Sequence, residues 1–129
     1  MSQEQIFGTR LKALRLQQHL SQRELAKRVA ARLKEQDGRG FDFTYLSKIE
    51  NAWMVPSEAA IRVLAEILSA DSDELIYLAG KVPTDLGEKL QKQTHDKNAR
   101  LFYRSVVDRE LSSEQWDELI AKLRKITGE

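Results

Sequence analysis

The segment Phe43-Thr44-Tyr45-Leu46-Ser47-Lys48-Ile49-Glu50-Asn51 constrains this chain more than any other. Leu46 and Ile49 fall three apart, so on a helix they share one buried face and leave Phe43, Thr44, Tyr45, Ser47 and Lys48 looking outward. A short helix showing hydroxyls, an aromatic ring and a lysine to solvent can enter the major groove of DNA. Hydroxyls and lysine hydrogen-bond base edges there, and apolar parts meet thymine methyls. Upstream, Ser21 followed three residues later by Glu24 is a capping box, so a helix starts there with Leu25, Val29 and Leu33 inward. Before it, Ile6, Leu11 and Leu14 with the cluster Arg10, Lys12 and Arg15 read as a first amphipathic helix.

The remainder is helical in pattern too. Strand signals are almost absent, the two prolines are well separated and the glycines sit mostly in turns. Periodicity and caps predict helices near 3–18, 22–34, 43–51, 58–69, 73–80, 85–92, 96–109 and 113–126. Asp42 stands where the third helix needs an N-cap. Ser57 caps the fourth, with Ile61, Leu64, Ala65 and Leu68 as its buried stripe. Ser72 caps the fifth, with Leu75, Ile76 and Leu78 inside, and Thr84 caps the sixth, with Leu86 and Leu90 inward. The expected fold class is all-α: a five-helix domain over 1–80, then a helical extension over 81–129.

The net charge of +1 hides an asymmetry. Residues 1–56 carry 10 Lys/Arg against 6 Asp/Glu, or +4, and residues 57–129 carry 11 against 14, or −3. The basic half contains the outward-facing helix, as phosphate binding requires, although uneven charge on a solvated surface is the plainer alternative. No cysteine occurs, so there is no disulfide, thiolate nucleophile or thiolate metal site. No apolar run approaches the roughly 18 residues of a membrane span and no signal-peptide pattern opens the chain, so a cytoplasmic protein without membrane contact is expected.

LKALRLQQHLSQRELAKRV followed by FTYLSKIEN resembles the helix-turn-helix of the phage-repressor class, the Xre/Cro-like family of transcription regulators. The resemblance covers about residues 3–80. Its L-S-Q-x-x-L-A and Y-L-S-x-I-E-N elements occur together, in order and in phase. It implies a five-helix repressor-like DNA-binding domain that reads a double-stranded operator as a homodimer. One departure stands out. The family joins its second and third helices by a turn of about four residues, whereas here Ala30 to Gly40 intervene. Either Lys34 and Arg39 form a basic finger adding phosphate or minor-groove contacts, or the stretch is a tolerated surface insertion.

By family position, Phe43, Thr44, Tyr45 and Lys48 face the bases, and Tyr45 is also the place of a side chain lying along the sugar-phosphate backbone. The alternative for Phe43 is packing against Phe41 or the inserted loop; for Lys48 it is a solvated lysine. Gln22 corresponds to a glutamine that binds a phosphate, and Arg23 opens the same helix, whose N-terminus favours an anion. Asn51 is assigned to phosphate as well, where relatives often carry Asn-Gly and then a basic residue. Ala52 lacks the freedom of glycine at positive φ. Trp53 either wedges against the sugar-phosphate chain or sits half-buried against Pro56. Arg15 and Glu50 match two positions that form a buried ion pair between the first and third helices; two separate surface charges are the alternative.

Nothing supports catalysis, a cofactor or a metal. His19 and His95 are single and far apart, and no Ser-His-Asp grouping, glycine-rich phosphate loop or Glu-rich metal motif occurs. Beyond the polar joint at 91–98, Leu101, Phe102, Val106 and Val107 form an apolar side. Ser112 and Gln115 make a second capping box, and Trp116, Leu119, Ile120, Leu123 and Ile126 then trace i, i+3, i+4, i+7. Two such helices bury little alone, so Phe102, Val106, Trp116, Leu119, Ile120 and Leu123 are expected in a dimer interface or against the first domain. The tail also resembles regulators linked with zinc metallopeptidases, which makes such a peptidase a candidate regulatory partner. The expected function is a dimeric repressor. The alternative is an antitoxin-like or peptidase-regulated interaction module whose DNA binding is autoregulatory.

Overall fold

A computed structural model describes residues 1–36 and 40–129, with side chains omitted at 34–36. Among the described residues all regular structure is helical: α1 (Gln3–Gln17), α2 (Gln22–Gln36), α3 (Phe43–Glu50), α4 (Glu58–Leu68), α5 (Ser72–Leu78), α6 (Thr84–Gln93), α7 (Lys97–Val107) and α8 (Ser113–Thr127). The chain divides into two compact units, residues 1–86 and residues 87–129.

Most helix starts have a side-chain cause within four residues. Ser2 and Gln5 form a capping box on α1, and Ser21 and Glu24 form one on α2, with Oγ accepting from the Glu24 amide at 3.0 Å and the Glu24 carboxylate accepting from the Ser21 amide at 3.1 Å. Asp42 caps α3 and Ser57 caps α4. Two expected caps are wrong. Asp71, not Ser72, caps α5, its carboxylate accepting from the amides of Asp73 and Glu74. A carboxylate outcompetes a hydroxyl for two N–H groups at a helix start. Thr84 does not use its hydroxyl as a cap acceptor either: it donates to Glu58 Oε2 at 2.6 Å, while its amide donates to Glu58 Oε1 at 2.9 Å.

Helix ends are closed in one recurring way. His19 (φ 56°), Ala52 (φ 67°), Ser69 (φ 55°) and Gly80 (φ 76°) all stand in the left-handed region after α1, α3, α4 and α5. The next residue's amide reaches back in each case, as Trp53 N–H does to the Lys48 carbonyl at 2.9 Å. Three of these four residues carry a Cβ, which is strained there. Ala52→Gly therefore relieves strain at the end of α3 and should raise unfolding stability by about 0.5–1 kcal/mol, net of glycine's larger chain entropy. A lower urea midpoint for this variant would contradict that conformation.

In the first unit α1 packs on α3 and α5, α2 on α3 and α4, and α4 on α5. The core runs from Phe7, Leu11, Leu25, Val29 and Phe41 through Leu46, Ile49, Ile61, Leu64 and Leu68 to Leu75 and Ile76. Each fully buried side chain of this size contributes roughly 1.5–3 kcal/mol of transfer free energy. Ile6, expected inward, is exposed. Phe7 takes the core position instead, because Phe7, Leu11 and Leu14 follow the 3.6-residue period and Ile6 lies off that stripe. Ala30–Gln36 continues α2 by about two turns, with Leu33 buried and Arg32 paired to Glu66 at 2.7 Å. That pair is solvent-exposed and contributes little.

Glu58 gathers the end of this unit. Besides both Thr84 donors it accepts from Arg62 at 3.4 Å, and Arg62 also approaches Asp73 and Asp85 at 3.8 and 3.6 Å. The Thr84 hydroxyl first, then its amide, hold the Glu58 carboxyl below its ordinary value of 4.5. A carboxyl with a lowered folded pKa stabilises fully above the ordinary value and loses that contribution as pH falls through the lowered one. Protection of the Thr84 amide against hydrogen exchange should hold near neutrality and fall below about pH 4.5. Glu58→Gln should flatten the pH dependence. A protection profile identical in both proteins would exclude Glu58 as the cause.

The second unit contains α7 and α8. Asp96 caps α7, accepting from Asn98 and Ala99, and Ser112 with Gln115 forms the capping box of α8. No residue of α6, α7 or α8 is fully buried. Leu90, expected inward on α6, is accordingly exposed and Leu86 only half-buried, because too few neighbours cover them. Among the described residues no helix is long and apolar enough to cross a membrane.

Candidate nucleic-acid interface

The outward-facing helix α3 is fixed from inside. Leu46 and Ile49 have no exposed surface, and Asp42 Oδ1 accepts from the Tyr45 amide at 2.8 Å. Gly8 of α1 lies so close to the end of α3 that an added Cβ would stand 2.5 Å from the Ile49 carbonyl oxygen, a contact the backbone cannot relieve. Only glycine permits this approach.

Arg15 and Glu50 form the strongest polar link of the unit. Arg15 Nε donates to Glu50 Oε2 at 2.7 Å and its NH2 group to Oε1 at 2.9 Å, a two-pronged pair, while NH1 donates to the Leu20 carbonyl at 2.9 Å. Their side chains are 9 % and 2 % exposed. The Glu50 hydrogen bond holds the Arg15 guanidinium above its ordinary value against the desolvation that lowers it. Gln22 joins them, its Nε2 donating to Glu50 Oε1 at 3.1 Å. One Gln22 N–H is thus spent inside the protein, at the start of α2.

The aromatic residues sort differently from expectation. Phe41 is buried and meets Tyr45 edge to face, ring centroids 5.0 Å apart at 81°. Tyr45, not Phe43, therefore packs against Phe41, and its ring is half-buried. Phe43 is more open, and the Arg23 guanidinium stacks over its ring at 4.0 Å from the centroid. Stacking leaves the in-plane N–H donors of Arg23 available. Arg23, Ala26, Lys27, Phe41, Asp42 and Phe43 line a hollow of about 260 Å³ beside this stack. Periodicity made Phe43 outward-facing, and the family resemblance put Arg23 on the same side of the molecule, without pairing them. Their 20-residue separation leaves no local signal for the contact.

Thr44 and Lys48 are exposed, and Lys48 makes no ion pair among the described residues. Asn51 is exposed at the end of α3, its Nδ2 donating to Ser47 Oγ at 3.3 Å. Phe43, Thr44, Lys48, Arg23 and Asn51 are thus surface groups carried by α3, its C-cap and the start of α2. Lys34 and Arg39 lie outside the described side chains. Trp53 is 73 % exposed, so the half-buried position against Pro56 is overturned: Pro56 is buried without it, because the left-handed turn at Ala52 sends the chain outward.

Among the described residues no group of His, Asp and Glu could hold a metal ion. The side chains that this face offers are hydrogen-bond donors, a cation–aromatic stack and an exposed lysine, the chemistry that binds phosphates and base edges. Comparison with curated proteins and with solved structures returns no match. Comparison with protein-family models matches residues 6–78, more than half of the chain, from the first turn of α1 to the end of α5. On that match the chain belongs to the helix-turn-helix domain family.

Proposed function

We propose that this protein is a transcription regulator of the Xre/Cro-like kind, a repressor that binds a palindromic operator as a homodimer with α3 in the major groove. DNA is the partner class that goes with a helix-turn-helix domain. The observation that carries the finer reading is the rigid seating of α3 by Leu46, Ile49 and the Arg15–Glu50 pair, with Thr44 and Lys48 left free on its outer side. A preorganised reading helix loses little freedom on binding. Repression follows from occupancy: promoter DNA held by the dimer is closed to polymerase. In this reading Arg23 and Asn51 take phosphates, and Gln22 supports Glu50 while its remaining donor reaches the backbone. The protein works without a cofactor, in the cytoplasm. A metallopeptidase or another protein seated on the tail is the second reading, favoured by the open apolar side of α8.

Selection of bound fragments from random duplex DNA tests the proposal, and a symmetric recovered site supports it. On that site Lys48→Ala should cost about 1–3 kcal/mol at one base pair per half-site and relax preference there. Arg23→Ala should weaken all duplexes alike and flatten the log–log salt dependence by about 0.9 per phosphate lost. Equal loss on operator and random DNA for Lys48→Ala would move that residue to a phosphate, and recovery of no preferred sequence would defeat the regulator reading.

A further inference from the structure

The second unit leaves an apolar surface open. A groove of about 450 Å³ runs along it, lined by Phe102 of α7 and by Trp116, Leu119, Ile120, Leu123 and Ile126 of α8. Phe102 is 52 % exposed, Leu123 58 % and Ile126 82 %. Trp116 and Ile120 are 42 % and 43 % exposed as well, so each copy brings an open apolar stripe toward the ~1,000 Å² total that a specific interface needs, with flanking residues supplying the rest.

The charges beside this stripe say what fits on it. Along α8 the acids Glu114, Asp117 and Glu118 occupy the first half and the bases Lys122, Arg124 and Lys125 the second. None of the six makes an ion pair among the described residues. Asp117 and Arg124 are seven residues apart, two turns, and so lie on the same flank of the stripe. Glu118 and Lys122 border the other flank. Both pairs are centred near Ile120, the middle of the apolar stripe. A parallel copy would set like charge against like at every position. An antiparallel copy sets the acidic half of one helix against the basic half of the other and opposes the two helix dipoles.

We propose that two copies of this chain join through α8 packed antiparallel on α8 about a two-fold axis near Ile120, with Asp117 facing Arg124 of the partner subunit and Glu118 facing Lys122 of the partner subunit. The inference rests on the homodimer proposed above and adds its geometry. Because the axis repeats each contact, one charge reversal acts twice.

The test uses the full-length protein and light scattering or sedimentation at low salt. Asp117→Lys or Arg124→Glu alone should weaken the dimer about 10-fold, less at high salt, and the two together should restore it. Within one helix these residues are about 10 Å apart along the axis, so restoration reports the contact between copies. The absence of cysteine permits a second reading. Asp117→Cys and Arg124→Cys should each fail to form a disulfide alone and should link to each other when the two proteins are mixed, since a bridge needs Cβ atoms about 4 Å apart. Ready self-linking of Asp117→Cys, or a double reversal no tighter than the singles in a protein that remains dimeric, overturns the antiparallel geometry and spares the homodimer. A wild-type chain that stays monomeric at all concentrations overturns both and leaves the groove to another protein.

Discussion

Glu50→Ala is expected to destabilise the first unit by about 3–5 kcal/mol, the cost of removing one partner from a buried ion pair. Glu50 accepts two bonds from Arg15 and one from Gln22, so its loss leaves a guanidinium only 9 % exposed with the Leu20 carbonyl as its remaining acceptor. For a unit of residues 1–86, whose total stability is on the order of 5–10 kcal/mol, this removes a large share. Urea unfolding followed by far-UV circular dichroism measures it. Arg15→Lys should lose part of the same amount, because an ammonium cannot reproduce the two-pronged geometry. Replacing both residues with apolar ones of similar size should cost less than either single change, since the desolvation penalty disappears with the charges. A loss below about 1 kcal/mol for Glu50→Ala would mean that water reaches the pair. DNA affinity should fall with the fraction folded, since α3 is seated by this link.

Deletion of residues 94–129 is expected to lower apparent operator affinity by about 10²–10⁴ without touching α3. The buried apolar residues all lie at or before Pro83, and α6 begins on the Glu58–Thr84 hydrogen bonds, so the shortened chain keeps its core. It loses α7 and α8, and with them the surface proposed to join two copies. A dimer engages its second half-site at a high effective local concentration; a monomer must bind each half-site independently. Thermal unfolding should show a cooperative transition close to that of the full chain, while light scattering shows a monomer. A shortened protein that stays dimeric and binds operator normally would place the dimer contacts in residues 1–93.

The helix order, most of the boundaries and the core of the first unit were legible before the structure. Leu46 and Ile49 on α3, the four stripe residues of α4, and the boxes at Ser21–Glu24 and Ser112–Gln115 stand as expected. These features depend on residues three or four apart, where helix geometry alone brings groups together. The errors at Ile6, Ser72 and Thr84 are of another kind. Each residue has a plausible local role that a neighbour or a distant partner fills better: Phe7 in the core, Asp71 at the cap, Glu58 as acceptor of the Thr84 hydroxyl.

On its own, the sequence determined an all-helical chain with one strongly apolar unit, a weakly covered tail and an outward-facing polar helix near 43–51, because hydrophobic periodicity and capping are encoded within single turns. Only the tertiary structure decided which side chains meet. Residues 15 and 50 are 35 apart in sequence, and their pairing came from family resemblance, never from spacing. Phe41 took Tyr45, four residues on, and left Phe43 to Arg23, which the packing of α2 on α3 brings within reach. His19, Ala52 and Ser69 adopt the left-handed turns that glycine usually marks, so the chain reversals there carry no compositional signal. The Cβ strain at each is of order 1 kcal/mol, small beside the burial of the helices it joins, and packing therefore overrules the local preference of the residue.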